Sequence, residues 1–246
     1  MGKLLCIGEA LIDLVETKQK DKLTYTPHVG GAPTNVAIIA KHLGAKSWLI
    51  SQVGDDHFGD IIASKLKDVG VNQNAFLKTK SAQTPLAFVH LDAASDRSFS
   101  FYRTDTADLK LTKEALKADW FEAGDILHFC SVSLVNESLR AAHQKAIKLT
   151  KEKGGLISFD VNIRKNLWKD EDALKKYVFD FIKASDIVKV SEEELSFLSD
   201  EKKETEAIKA IFKDGVKMVL VSKGEMGASL YNKSFTIYQK ARDMIQ

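Results

Sequence analysis

The chain has 246 residues, 44% of them apolar and 28% charged, a composition typical of a globular protein that can bury a sizeable core. Its 36 basic and 34 acidic residues nearly balance, which argues against a nucleic-acid-binding or membrane-surface protein, because both need a basic excess. The cysteines, Cys6 and Cys130, stand in apolar runs, and no segment has the length of a membrane span, so we expect buried free thiols in a cytoplasmic protein.

The first 70 residues are predicted to mix strands with helices. A short apolar run predicts a buried first strand, and apolar residues at helical spacing recur before Gly44 and Gly70, which are typical helix terminators. The predicted elements, in chain order, are strands at 4–8, 11–16 and 23–26, a helix at 34–43, a strand at 47–53 and a helix at 58–69.

Between residues 75 and 102 the apolar period changes to two. Segments 84–91 and 97–102 predict a β-hairpin whose turn lies at 92–96. Together with the early strands, this hairpin suits a small sheet that projects from the main domain and covers the functional site.

The second half alternates strands with helices. Strands are predicted at 126–130, 156–160, 187–190 and 218–221, with helices at 138–153, 170–184, from 192 and at 204–214, and a last hairpin around Asn232. This alternation predicts βαβ units and a mostly parallel sheet. No linker or repeat interrupts it, so we expect a single α/β domain over 1–246.

The most informative motif runs from Gly30 to Ala37, Gly-Gly-Ala-Pro-Thr-Asn-Val-Ala. Glycines allow the backbone to approach a ligand closely, and Pro33 fits the first turn of a helix. Asn35 then offers an amide donor and an acceptor at the mouth of that helix. This combination is suited to a small polyhydroxylated molecule, although a lone Gly-Gly pair is more often an ordinary loop-to-helix junction.

Polar clusters follow four of the predicted strands. In a parallel sheet their carboxyl ends meet at one edge, where ligands bind. The clusters are Glu9 with Asp13, the segment from Asp160 to Arg164, the segment from Ser191 to Glu194, and the segment from Ser222 to Gly227.

Three of these features have both an ordinary and a functional interpretation. Asp160, Asn162 and Arg164 alternate as on a strand, so either all three face the same way, toward a sugar and a phosphate, or they tie the strand end to its own loop. Glu194 lies at the start of a helix. Its ordinary role is a favourable interaction with the helix dipole, and its functional role is to organise a Mg²⁺ ion through water. Arg103 is a solvated edge charge, or it reaches into the site from the hairpin.

The sequence lacks the motifs of a zinc site, a P-loop enzyme and an α/β-hydrolase. The six histidines show no metal-ligand spacing, and neither a P-loop nor a Gly-x-Ser-x-Gly nucleophile elbow occurs.

With these motifs in view, the chain resembles the ribokinase-like (PfkB) carbohydrate kinases, and among them the fructokinases. The motifs that carry the resemblance are Gly8 to Asp13, Gly30 to Ala37, Gly54 to Gly59, Arg97 to Arg103, Asp160 to Arg164 with Leu167-Trp168, Lys189 to Glu194, and Ser222 to Gly227.

The resemblance implies a three-layer α/β/α fold with a β-sheet lid formed from about 11–30 and 84–103, and transfer of the γ-phosphoryl of ATP to a sugar hydroxyl, assisted by Mg²⁺. It implies that Arg164 is catalytic and that Glu194 organises Mg²⁺ indirectly. The implied sugar-binding residues are Asp13, Gly30, Gly31, Asn35, Arg103, Asp160, Asn162 and Arg164. The implied nucleotide-binding residues are Lys189, Ser191, Ser222, Gly224 and Gly227.

The sequence departs from the family pattern after Gln239, where a Gly-Ala-Gly-Asp turn should follow. In the family this turn supplies an anion hole and the aspartate base, so we expect a truncated chain with little kinase activity. Fructose is the favoured substrate. Alternative substrates are ribose, 2-keto-3-deoxygluconate and a nucleoside. An alternative function is sugar binding without catalysis. A homodimer formed through the lid is a further possibility that the resemblance leaves open.

Overall fold

The computed structural model describes residues 2–19, 22–91, 97–199 and 203–241. Within these ranges no helix is both long and apolar enough to cross a membrane. The elements, in chain order, are β1 Leu4–Ile7, β2 Leu11–Gln19, β3 Lys22–Gly30, α1 Ala32–His42, β4 Ser47–Gly54, α2 His57–Val69, β5 Phe76–Thr79, β6 Leu86–Leu91, β7 Arg97–Tyr102, β8 Ile126–Cys130, α3 Glu137–Glu152, β9 Leu156–Asp160, α4 Glu171–Lys183, β10 Ile187–Ser191, α5 Glu192–Leu198, α6 Glu204–Lys213, β11 Met218–Ser222, β12 Ala228–Asn232 and β13 Thr236–Gln239.

Nine of the strands form the main sheet, in the order β13-β12-β11-β10-β9-β8-β1-β4-β5. The strands from β11 through β5 are parallel to their neighbours, and only β12 and β13 are antiparallel. The predicted α/β class is therefore confirmed. The carboxyl ends of β1, β9, β10 and β11 lie at one edge, so the polar clusters that follow these strands gather there.

The remaining four strands form the separate small sheet that the period of two predicts. Its order is β3-β2-β6-β7, with antiparallel pairs at both sides of a parallel β2–β6 pair. The predicted turn at 92–96 lies outside the described residues. The four-residue strand β5 was not predicted, because its apolar residues are too few to show a period.

Helices cover both faces of the main sheet. On β1, Leu5 and Ile7 belong to a buried cluster that includes α3 and α4, whereas Cys6 packs with α1 and α2 on the other face. The larger cluster centres on Phe129 and Phe159, whose rings stack with centroids 4.9 Å apart. Both cysteines are buried free thiols, as predicted.

The core contains one buried histidine, His143 of α3, that makes stability depend on pH. Its Nδ1 lies 2.7 Å from the Leu139 carbonyl oxygen, its ring meets Phe129 edge-on, and its Nε2 has no hydrogen-bond partner among the described residues. Burial lowers the pKa of His143 from 6.5 to about 4. The folded protein therefore holds this imidazole neutral, whereas the unfolded chain protonates it below its ordinary pKa.

We expect the His143 contribution to stability to be complete above pH 6.5 and to be lost as the pH falls toward 4. The unfolded state binds the extra proton in this window, so the loss amounts to about 3 kcal/mol. Urea unfolding between pH 7 and 4 would measure it. His143→Leu should reduce the pH slope, and the part due to His128, whose pKa burial also lowers to about 4, should remain. Replacing the exposed His42 by Asn should leave the slope unchanged. Equal slopes for wild type and His143→Leu would contradict the prediction.

Candidate active site

A cleft of about 540 Å³ lies between the small sheet and the carboxyl edge of the main sheet. It brings together five of the residues predicted to bind sugar, although they come from distant parts of the chain. These residues are Asp13, Gly31, Asn35, Asn162 and Arg164. Their convergence is the geometry that a carbohydrate site at this edge requires.

The approach to helix α1 explains why two glycines precede it. Gly31 has φ +102°, a conformation that residues with a side chain rarely adopt. A Cβ at this position would lie 2.4 Å from the Glu9 carbonyl oxygen. A Cβ at Gly30 would lie 2.0 Å from Asp13 Oδ2, so this glycine makes room for the Asp13 carboxylate. The Gly-Gly pair thus packs the backbone against two strand ends and leaves Asn35 exposed at the cleft.

Glu9 fixes the start of α1 by hydrogen bonds, a role that the sequence did not indicate. Its side chain is buried, and Oε1 accepts a hydrogen bond of 2.9 Å from the Ala32 N–H at the start of α1. The Ser133 hydroxyl donates to Oε2 at 2.5 Å, and the Thr34 hydroxyl donates to the Glu9 carbonyl at 2.9 Å. A carboxylate at this position satisfies a free helix N–H and interacts favourably with the helix dipole.

Arg103 is not the solvated edge charge that one of its two interpretations predicts. Its guanidinium is buried: Nε lies 2.6 Å from Asp108 Oδ2, and Nη1 donates to the Val132 carbonyl at 2.8 Å. Nη2 is buried without a hydrogen-bond partner among the described residues. Burial alone would lower the pKa of Arg103, but the negative charges of Asp108 and Glu9 outweigh it and raise the pKa. The expectation of a solvated edge charge is wrong, and Arg103 is not among the residues that line the cleft.

Asp160 also differs from the prediction. Strand β9 ends at Asp160, and Asn162 has φ +36°, so the strand-like alternation through Arg164 does not continue. Asn162 and Arg164 line the cleft, but Asp160 does not. Its Oδ1 forms an ion pair with Lys189 Nζ at 3.1 Å. Burial raises the pKa of Asp160, and the Lys189 charge opposes that rise.

A second cleft of about 470 Å³ adjoins the first. Asn162 and Arg164 line both clefts, so they stand at the boundary between them. Lys189, Ser191 and Glu194, three residues predicted to serve the nucleotide and its metal, also line the second cleft. The cations of this second cleft, Arg164, Lys165 and Lys189, are suited to phosphate groups.

Glu194 shows how the second cleft is held. Its Oε2 accepts from the Ser191 N–H at 2.8 Å, while the Ser191 hydroxyl accepts from the Glu194 N–H at 3.2 Å, which forms a capping box at the start of α5. Its Oε1 accepts from the Ile163 N–H at 2.7 Å. The ordinary interpretation as a helix-terminal acid therefore holds, and the same carboxylate also fixes the segment between Asn162 and Arg164.

The turn after β11 carries the last three predicted nucleotide residues. Ser222 ends the strand, Gly224 has φ +53° with open space where a side chain would be, and Gly227 has φ +107° against the Gln239 carbonyl. None of the three lines either of the two clefts. They lie at the same edge of the sheet, two strands from β9.

The described residues include no group of three His, Cys, Asp or Glu side chains placed to hold a metal ion. Both Glu194 oxygens already accept backbone hydrogens, although a carboxylate has further lone pairs for water. This donor set fits a Mg²⁺ ion that arrives with nucleotide phosphates and keeps several of its waters.

The roof of the first cleft is formed by the small sheet and is mostly apolar. Its cleft-facing residues, most of them missed from the sequence, are Leu11, Asp13, Val15, His28, Val89, Phe99 and Phe101. The signal that marks them is the period of two, because residues at alternate positions of one strand share a face.

Two clefts adjoin at the carboxyl edge of a mostly parallel sheet, one beneath the small sheet and one lined by three cations and two carboxylates. This arrangement defines an α/β enzyme that brings two ligands together. The chain belongs to the pfkB family of carbohydrate kinases, whose model matches residues 1–244.

Individual relatives agree with this assignment. Fructokinase-2 of Solanum lycopersicum is 39% identical over 239 residues, which make up 95% of this chain and 73% of that protein. The fructokinase of Vibrio cholerae O395, in a form with fructose, ADP and calcium ion bound, superposes with a TM-score of 0.90 at 31% identity and covers 98% of this chain and 77% of its own. The fructokinase of Xylella fastidiosa with bound ATP gives a TM-score of 0.88 at 29% identity, covering 97% and 77%.

Proposed function

We propose that this protein phosphorylates fructose with ATP. The observation that carries the proposal is the convergence of Asp13, Asn35 and Arg164 on one cleft that adjoins a cation-lined cleft. The Vibrio cholerae relative holds fructose and ADP, and the Xylella fastidiosa relative holds ATP. We assign fructose to the first cleft and the nucleotide phosphates to the second.

The sugar is held by groups of complementary hydrogen-bonding character. The Asp13 carboxylate accepts from hydroxyls, whereas the Asn35 amide both donates and accepts. Gly30 and Gly31 allow backbone and carboxylate to come close to the ligand, and Glu9 fixes the helix that carries Asn35. These groups are held in place before the sugar arrives, which reduces the entropic cost of binding.

Phosphoryl transfer takes place where the clefts meet. The sugar hydroxyl oxygen forms a bond to the γ-phosphorus, the bond to the leaving ADP oxygen breaks, and the hydroxyl proton is released to water, so charge must be stabilised on both sides of the phosphorus. Asn162 and Arg164 line both clefts, and we assign Arg164 to the transferring phosphoryl group. Lys189 and Ser191 face the nucleotide phosphates, with Ser222, Gly224 and Gly227 further along the same edge. Mg²⁺, when bound with ATP, neutralises phosphate charge, and Glu194 would hold its waters.

A second candidate function is sugar binding without transfer. It is favoured by one observation: the 246 residues contain no Gly-Ala-Gly-Asp sequence. The chain spans 73% of the length of the Solanum relative. Binding and transfer therefore need separate measurements.

We expect calorimetry to show that fructose binds this chain more tightly than ribose or 2-keto-3-deoxygluconate does. Asn35→Ala removes two hydrogen bonds to the ligand and should weaken binding roughly ten- to hundredfold. Asn74→Ala, at an exposed asparagine outside the clefts, is the matched control. ADP release in the presence of fructose would assign the kinase, and binding without ADP release would assign the second candidate. Absence of fructose binding would overturn both.

We further propose that the small sheet pairs with a second copy of this chain. The face of this sheet turned away from the cleft carries an aromatic row in which Phe88 contacts Tyr25 and Tyr102, with ring centroids 5.2 Å and 5.0 Å apart. Tyr102 is 65% exposed and Leu23 is 50% exposed. Exposed apolar groups on one sheet face support burial against an identical face.

A further inference from the structure

His28 lies on β3 directly opposite Asp13 of β2 in the antiparallel register. Residues paired in this way point to the same face of a sheet, with Cβ atoms about 5 Å apart. Both side chains line the sugar cleft, and His28 is exposed within it. The two are therefore close enough to contact the same ligand.

The chemistry of the roof makes His28 distinctive. Apart from Asp13 and His28, the described small-sheet residues that line the cleft are Leu11, Val15, Val89, Phe99 and Phe101, none of which can form a side-chain hydrogen bond. An ionised carboxylate only accepts hydrogen bonds. Among these residues His28 is thus the single side-chain donor, whichever ring nitrogen carries its proton.

A sugar hydroxyl that faces this roof needs both kinds of partner. It donates its hydrogen to a carboxylate, but its oxygen, or that of the neighbouring hydroxyl, still requires a donor once water has left. Leaving that oxygen against valine and phenylalanine side chains would oppose binding. The imidazole of His28 is the group placed to satisfy it.

We propose that His28 is a specificity-determining residue that, together with Asp13, recognises a pair of adjacent hydroxyls on the substrate. This inference rests on the proposed sugar-kinase function and deepens it. Asp13 accepts from one hydroxyl of the pair, and His28 donates to the oxygen of the other. The pair selects sugars that present a vicinal diol to the small sheet and disfavours analogues that lack either hydroxyl.

The test compares wild type, His28→Ala and His28→Asn by calorimetry, with fructose and with single-deoxy fructose analogues. The His28→Ala variant loses one hydrogen bond to fructose, so it should bind fructose about three- to tenfold more weakly than wild type does. His28→Asn, which keeps a donor, should recover part of the affinity. One deoxy analogue should bind wild type as weakly as fructose binds His28→Ala, and should lose nothing further in that variant. Thr26→Ala, two residues away on the same strand face, serves as the control and should bind like wild type.

The outcomes separate this inference from the proposed function. If wild type binds fructose and His28→Ala binds it equally well, the inference is overturned and the proposed function stands. If every deoxy analogue loses further affinity in His28→Ala, the paired recognition is likewise overturned. If wild type binds no fructose, the proposed substrate fails, and this inference fails with it. Thermal unfolding of His28→Ala should match wild type, because the side chain is exposed.

Discussion

Replacing Gly31 by alanine is expected to lower the free energy of unfolding by about 2–6 kcal/mol and to abolish measurable sugar binding. Gly31 has φ +102°, and a side chain in this region costs roughly 1–3 kcal/mol. A Cβ would also lie 2.4 Å from the Glu9 carbonyl oxygen and 3.3 Å from the Ala10 Cα. The backbone of Gly31 or of Glu9 and Ala10 must move to make room, and such overpacking costs about 1–3 kcal/mol more.

The loss of binding follows from the same displacement. Helix α1 begins directly after Gly31, and the Ala32 N–H bonded to Glu9 fixes the start of that helix. Any shift there moves Asn35, whose N–H bonds the Gly31 carbonyl at 2.9 Å. A misplacement of about 1 Å is enough to lose an oriented hydrogen bond.

Gly44→Ala separates conformational strain from steric overlap. Gly44 has φ +88°, but no heavy atom lies within 4 Å of its Cβ position, so only the strain of about 1–2 kcal/mol remains. Urea unfolding measures both variants, and calorimetry with fructose measures binding. A Gly31→Ala variant no less stable than Gly44→Ala would contradict the close packing of Gly31 against Glu9.

Local patterns were sufficient to predict most of the fold. Helix α2 shows why: Asp56 caps its first turn by accepting from the Gly59 N–H at 2.8 Å, and Gly70 ends it with φ +84°. These signals act over a few residues and are visible in the sequence. The strands of the main sheet are continuous apolar runs between such signals, which is the pattern of a sheet buried on both faces.

The candidate site was predictable only where the sheet topology decides it. Asn35, Asn162 and Arg164 meet because the edge of a parallel sheet gathers strand ends. The environment of Arg103 depends instead on Asp108, which lies on a short turn after the small sheet and has no periodic signal. His28 reaches the cleft because of its register with Asp13, and nothing in its own sequence neighbourhood indicates that pairing. The register between β2 and β3 and the buried Arg103–Asp108 ion pair therefore could not be predicted from the sequence.

The second large effect is expected from Asp108→Ala, which should lower the free energy of unfolding by about 3–5 kcal/mol. The Arg103 and Asp108 side chains are 3% and 1% exposed, and Asp108 Oδ1 also accepts from the Thr106 hydroxyl at 2.6 Å. Removing the carboxylate leaves a buried guanidinium whose remaining bond goes to the Val132 carbonyl. A buried charge without its partner is far more costly than the absence of the whole pair.

The double variant Arg103→Met with Asp108→Leu tests this reasoning, because it removes both charges and keeps apolar volume. It should be more stable than Asp108→Ala alone, with the difference measured by urea unfolding. The same double variant also tests the sugar role predicted for Arg103, because it leaves no unpaired buried charge. If the double variant binds fructose as wild type does, Arg103 acts through the fold and not through the ligand. If it unfolds like wild type but loses fructose, the guanidinium must contact the sugar through its free Nη2, and the structural assignment of this residue would have to be replaced.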